Sequence, residues 1–182
     1  MTKAVRDNAR ESSDPWVLVA VHAIGGLTEL GFLPDSRRLL IVSHQGRGEY
    51  DVFTGARVAR DRSENRSDWF DEDNRACLAL TPGQPTWIPV SGLAGGALPT
   101  TYGEWSLSVT QECAAVVKAG GLERMLLCSG EEVRVVGFSP DGRTIVVGRP
   151  MDVYIYRAGH GGINRSGSGA GAFFHEASRS EA

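Results

Sequence analysis

The sequence has little cysteine, almost no lysine and no long apolar run. Three cysteines in 182 residues, Cys77, Cys113 and Cys128, form no Cys-x-x-Cys pair. An odd, scattered set excludes a disulfide framework and a thiolate zinc site. Each stands in an apolar run, which predicts buried free thiols and a cytoplasmic protein. Lys3 and Lys118 are the only lysines among 19 basic residues, so the other 17 are arginines. Arginine usage this lopsided reads first as a GC-rich bacterial genome. The 22 acidic residues bring the net charge to -3, which gives no basic field for nucleic acid. No apolar stretch approaches the roughly 18 residues of a membrane span, and the polar opening MTKAVRDNARESSD has no signal core.

Reaction signatures are also missing. There is no G-x-S-x-G elbow, no G-x-G-x-x-G and no phosphate-loop Lys-Ser/Thr. His22, His44, His160 and His175 have no metal-ligand spacing among themselves or with a Cys. No catalytic residue, metal or other cofactor is therefore expected. A sustained helical period is lacking too; Gln111–Ala119 comes nearest, and its AAVV stretch suits a strand equally.

What is there is a succession of short strands. Candidates are 16–22, 27–32, 38–43, 48–53, 56–60, 76–80, 86–90, 105–110, 114–119, 124–129, 133–138, 144–148 and 152–157. They are rich in Val, Ile and Leu and are bounded by Gly, Pro, Asp or Ser. Residues 1–14 read as a flexible arm and 159–182 as a Gly/Ser-rich flexible tail. The β domain between them covers 15–158.

Two stretches of that domain repeat. Gly31-Phe32, Pro34-Asp35 and Arg37 recur as Gly137-Phe138, Pro140-Asp141 and Arg143, 106 residues later. An apolar strand follows each, then Asp51-Val52-Phe53 in one and Asp152-Val153-Tyr154 in the other. Pro presets φ, Asp bonds back to the turn, and Gly142 accepts positive φ. The unit is a tight turn within an antiparallel meander.

Residues 31–60 and 137–159 resemble blades of WD-repeat β-propellers. The likeness lies in the Phe138–Gly142 turn and in the Asp51–Val58 pattern with its Thr54-Gly55 turn. It rests on turn and strand order, since no Trp-Asp dipeptide ends a strand. The resemblance implies an all-β, small antiparallel propeller-like assembly of three to four blades, because 106 residues hold two or three degenerate periods. The last copy ends after its third strand, and an unpaired strand precedes the first. Trp16–His22 is therefore expected to pair with Asp152–Arg157, closing the assembly and covering exposed edges.

The functional expectation is a non-catalytic protein-protein interaction module, with another protein as partner, no nucleic acid and no membrane, acting as monomer or homodimer. A bacterial toxin-neutralising, immunity-type role fits by analogy, an acidic surface suiting a basic toxin. The expected partner-binding residues are Trp69, Phe70, Asp71, Glu72, Asp73 and Tyr102, from the non-repeating middle. Trp87 and Trp105 are expected in the core. The alternative is a hydrolase on sugars or esters, working through the loop carboxylates around Asp71.

Overall fold

The structure, a computed structural model, describes residues 14–63, 65–81, 85–121 and 123–159. The expected arm and tail lie outside them apart from Asp14 and Gly159, as do His160, Phe173, Phe174 and His175. Among the described residues, sixteen strands form four antiparallel sheets. Sheet I holds β2 (Leu27–Phe32), β3 (Arg38–Ser43), β4 (Gly46–Asp51) and β5 (Arg57–Asp61), with the short β9 (Ser91–Gly92) added beside β2. Sheet II holds β6 (Phe70–Asp71), β7 (Ala76–Leu78) and β8 (Trp87–Pro89). Sheet III holds β10 (Thr101–Tyr102), β11 (Trp105–Thr110), β12 (Cys113–Lys118) and β13 (Arg124–Ser129). Sheet IV holds β14 (Val135–Phe138), β15 (Thr144–Gly148) and β16 (Asp152–Ala158), and its fourth strand is β1 (Trp16–Ala23). The 111–119 stretch is thus strand over Cys113–Lys118, with turn residues at its ends, and not helix.

The expected pairing of the first and last strands is present. Trp16 faces Ala158 and Ala23 faces Asp152, with one register shift between Leu18 and Ala20. Trp16 anchors this strand: it is 1% exposed, edge-on to Trp105 at 5.9 Å and beside Phe138 at 5.7 Å.

Three apolar cores lie between the sheets. Leu39, Ile41 and Tyr50 of sheet I meet Val135, Val146, Val153 and Ile155 of sheet IV. Phe138, Ile145, Val147 and Tyr156 of sheet IV meet Trp105, Ala114, Val116 and Leu127 of sheet III. Leu40 and Val42 of sheet I meet Trp69, Phe70, Cys77 and Ile88 of sheet II. The order of layers is III–IV–I–II, and none of these three cores joins sheet II to sheet III. Sheets I and IV are covered on both faces, so β3 and β15 read as unbroken apolar runs rather than alternations.

The repeat holds in three dimensions at a constant offset of 106. Leu39 pairs with Tyr50, and Ile145 with Tyr156. Leu33 N–H donates to Arg38 at 2.9 Å, and Ser139 N–H to Thr144 at 2.8 Å. Oδ1 of Asp35 accepts the Arg37 N–H, and Oδ1 of Asp141 the Arg143 N–H. The turns reach positive φ at matched places, Ser36 (φ 55) and Gly142 (φ 67). Equivalent side chains serve successive interfaces: Leu39 faces the IV–I core and Ile145 the III–IV core. That one-layer shift is how successive blades of a propeller relate.

One detail of the repeat is corrected. Asp51-Val52-Phe53 is not the structural match of Asp152-Val153-Tyr154. At the true offset Asp51 corresponds to Arg157, because Arg38 pairs with Asp51 and Thr144 with Arg157. The triplets agree in letters five residues out of register. Asp51 ends its strand and caps the next turn, accepting the N–H groups of Phe53 (2.9 Å) and Thr54 (3.0 Å).

The repeated glycines 31 and 137 have a packing reason. A Cβ on Gly31 would lie 2.6 Å from the Pro89 carbonyl oxygen, and one on Gly137 2.1 Å from the Leu98 Cβ. Both sit on the first strand of their sheet, where residues 89–100 run close by. β9 pairs with β2, and Phe138 N–H donates to the Pro99 carbonyl at 2.8 Å. This segment satisfies edges that would otherwise be open.

Candidate functional site

The aromatic and acidic cluster of the middle splits into a buried part and an exposed part. Trp69 and Phe70 are 4% and 5% exposed, with rings 6.3 Å apart and edge to face. Trp69 and Phe70, expected among the partner-binding residues, both face sheet I and are buried against it. A short 3-10 turn, Arg66–Asp68, delivers them to that position. Asp71 is half-buried, while Glu72 and Asp73 are exposed on the turn that follows. Oδ1 and Oδ2 of Asp71 accept the backbone and side-chain N–H groups of Asn74 at 2.9 and 2.8 Å. Those bonds hold its carboxyl below the usual carboxylate range.

Tyr102 lies elsewhere, on β10 of sheet III. It is 38% exposed, with its ring 6.4 Å from Phe138 and directly over Gly142. The six expected residues therefore fall into two places, the sheet II turn and the III–IV seam. Trp105 is buried as expected. Trp87 is not: it is 47% exposed on β8. Its neighbour Ile88 faces sheet I, and alternation along the strand turns Trp87 outward.

What Trp69 and Phe70 touch is a charged cluster that inspection of motifs misses. Glu29 on β2 and Glu49 on β4 are 1% and 0% exposed, both on the face of sheet I that meets sheet II. Nη2 of Arg66 donates to both carboxylate oxygens of Glu29 at 3.2 Å. The Arg66 guanidinium also lies 3.8 Å from the Phe70 ring centre and 5.9 Å from that of Trp69. Arg47 covers Trp69 at 4.9 Å and pairs with Asp61 at 3.0 Å. Trp69 is thus flanked by two guanidiniums of its own chain.

Glu49 accepts from Leu80 N–H (2.5 Å), Thr81 N–H (3.1 Å) and the Thr81 hydroxyl (2.7 Å), with Arg38 at 3.5 Å. Burying a carboxylate costs several kcal/mol. Three charge-assisted bonds at about 1.5–3 kcal/mol each are on the scale of that cost. The bonded atoms, of Leu80 and Thr81, lie in the loop that follows β7, so the cluster fastens sheet II to sheet I. Cys77 sits within it, and burial, opposed by Arg47, pushes its thiol up to about 11. Among the described residues no three of His, Cys, Asp and Glu converge as metal ligands. Nor is any helix among them long and apolar enough to cross a membrane.

The signal for the cluster was available. Glu29 interrupts LTELGF, a segment in which every residue is buried. An acid inside a strand covered on both faces must find a cation or several donors. The arginine excess held the other half of the pattern.

Four meander sheets, stacked in succession and finished by the first strand, define a small antiparallel propeller-like assembly. No protein-family model matches the chain, and no curated protein does. Among solved structures, the β-propeller domain of Swd1 from Myceliophteria thermophila is similar over 73% of this chain, at 12% identity and a TM-score of 0.25. The match takes in 54% of that structure, so the chain spans about half its length.

Proposed function

We propose that the chain is a non-catalytic protein-protein interaction module, a rigid propeller-like scaffold that binds another protein through its non-repeating middle. The observation that carries this reading is the acidic turn of Asp71, Glu72 and Asp73 on its buried Trp69-Phe70 base. Glu72 and Asp73 are exposed and have no ion-pair partner among the described residues. The neighbouring turn adds apolar surface: Leu93 is 58% exposed, and Arg75 lies against Gly95. An exposed acid pair beside an apolar side chain, on a fixed base, suits a partner with a basic rim. Trp69 and Phe70 serve as the frame of this surface and Tyr102 as a second contact. A toxin-neutralising, immunity-type role is the finer form of the proposal, supported by charge complementarity alone. The three free thiols suit a reducing cytoplasm.

The test is affinity capture from the native host with wild type, with Glu72→Gln/Asp73→Asn, and with Tyr102→Ala. Glu72 and Asp73 are exposed, so the acidic variant stays within about 0.5 kcal/mol of wild type. Tyr102→Ala gives up ring packing over Gly142, and its capture is carried out well below its own Tm. A partner captured by wild type and lost by the variants supports the proposal. The same partners on all three proteins would sink it.

A further inference from the structure

A second site stands on the opposite face of sheet I, away from the Glu29–Trp69 cluster. Its geometry begins with a bulge. Tyr50 pairs with Arg57 and Glu49 with Ala59, which leaves Val58 unpaired on β5. Two strand residues three apart ordinarily point to opposite faces. The bulge brings Arg57 and Arg60 to one face, opposite Tyr50 and Gly48. This is the face that Tyr50 and Ile41 turn toward sheet IV.

Gly48 has no side chain on this face, which lets Tyr50 and Arg57 close over its backbone. A Cβ there would lie 3.2 Å from Cε2 of Tyr50, 3.3 Å from the Ala59 carbonyl oxygen and 3.6 Å from Cδ of Arg57. At the equivalent place in sheet IV stands Tyr154, packed on its own core. Beside Gly48 is a cleft of about 100 Å³, walled also by Gly25, Gln45 and Tyr50. Arg57 and Arg60 are among its lining residues, and no acidic residue lines it. Neither has an ion-pair partner among the described residues, whereas the Arg47 side chain lies over Trp69 on the other face and is paired with Asp61.

We propose that this cleft binds a phosphoryl oxyanion. Two guanidiniums on one face offer planar, paired donors that match a tetrahedral dianion better than a single carboxylate. The Gln45 amide adds a neutral donor at the rim. Arg57 and Arg60 are both exposed, so an oxyanion held by them can carry the rest of a phosphate monoester on the solvent side. This site is independent of the partner surface proposed above, and the two fail separately.

The test uses the full chain, with inorganic phosphate and glycerol phosphate titrated at constant ionic strength. Wild type shows a saturable rise in Tm of a few degrees. Its Gly25, Gly48 and Arg57 amide resonances shift with the same midpoint. Arg57→Gln/Arg60→Gln, with both changes at exposed positions, loses the saturable rise. A rise with both ligands assigns the phosphoryl group as such, and a rise with inorganic phosphate alone assigns the free ion. Absence of saturation in wild type overturns the proposal, as does an equal rise in the double variant. Resonance shifts confined to other residues overturn it too.

Discussion

Sheets I and IV present the same backbone face to their neighbours and cover it with opposite chemistry. In sheet IV that face carries Val135, Val146, Val153 and Ile155, which close on sheet I with an aliphatic core. At the equivalent places sheet I carries Glu29, Leu40, Arg47 and Glu49, which close on sheet II. Three of four apolar positions have become charged. The neighbours explain why both arrangements hold. Sheet IV meets a long, regular sheet whose side chains interdigitate with its own. Sheet II has strands of two and three residues only, too few to supply a wide apolar face. Directional bonds from Glu49 to Leu80 and Thr81, and arginines on Trp69, hold what area alone cannot. One β scaffold thus tolerates two kinds of interface, provided every buried charge is answered.

The sharpest way to break the contrast is to move the charge. Ile155→Glu places at the sheet IV position the acid that sheet I carries as Glu49, but without donors. An unpaired carboxylate in that core costs more than about 4 kcal/mol. Cooperative unfolding, followed by circular dichroism, should be lost or shifted far down. A variant as stable as wild type would show that the IV–I layer is not a dry core.

Removing the charge from sheet I is the milder change. Glu49→Ala orphans the Leu80 and Thr81 N–H groups and costs about 3 kcal/mol. The loss should be local: hydrogen exchange should quicken at Ala76–Leu78 while Val146 and Ile155 stay protected. Uniform acceleration would mean that the sheets unfold as one. Smaller still is the joint change Glu29→Val with Arg66→Met, which gives sheet I the side chain of sheet IV at that position. Because both members of the pair go, Tm should move by the equivalent of about 1 kcal/mol or less. A large loss would show that the ion pair is needed for the fold.

Much of this fold was legible from local pattern. Strands 27–32, 38–43, 105–110, 124–129 and 144–148 have the bounds that apolar runs and turn residues predict. The pairing of β1 with β16 followed from a copy that lacked its last strand. Other features were not legible, and each for a stated reason. The Asp-Val-aromatic match misled because hairpin loops differ in how far they carry the chain, and letters do not record pairing. The burial of Trp69 and Phe70 is not legible locally, because polar neighbours surround them in sequence. Their burial depends on Arg47 and Arg66, which stand 22 residues before Trp69 and three before it.

By itself the sequence determined the strands, the repeat and the turn chemistry, because these depend on period and on φ preferences a few residues long. It also determined that the chain is all β. Tertiary structure alone decided which face of each strand meets which sheet. It turned Glu29 and Glu49 from surface letters into the fastening of sheet II, and it set two unpaired arginines on the wall of one cleft. Burial and pairing are set by residues distant in the chain, and no local pattern carries them.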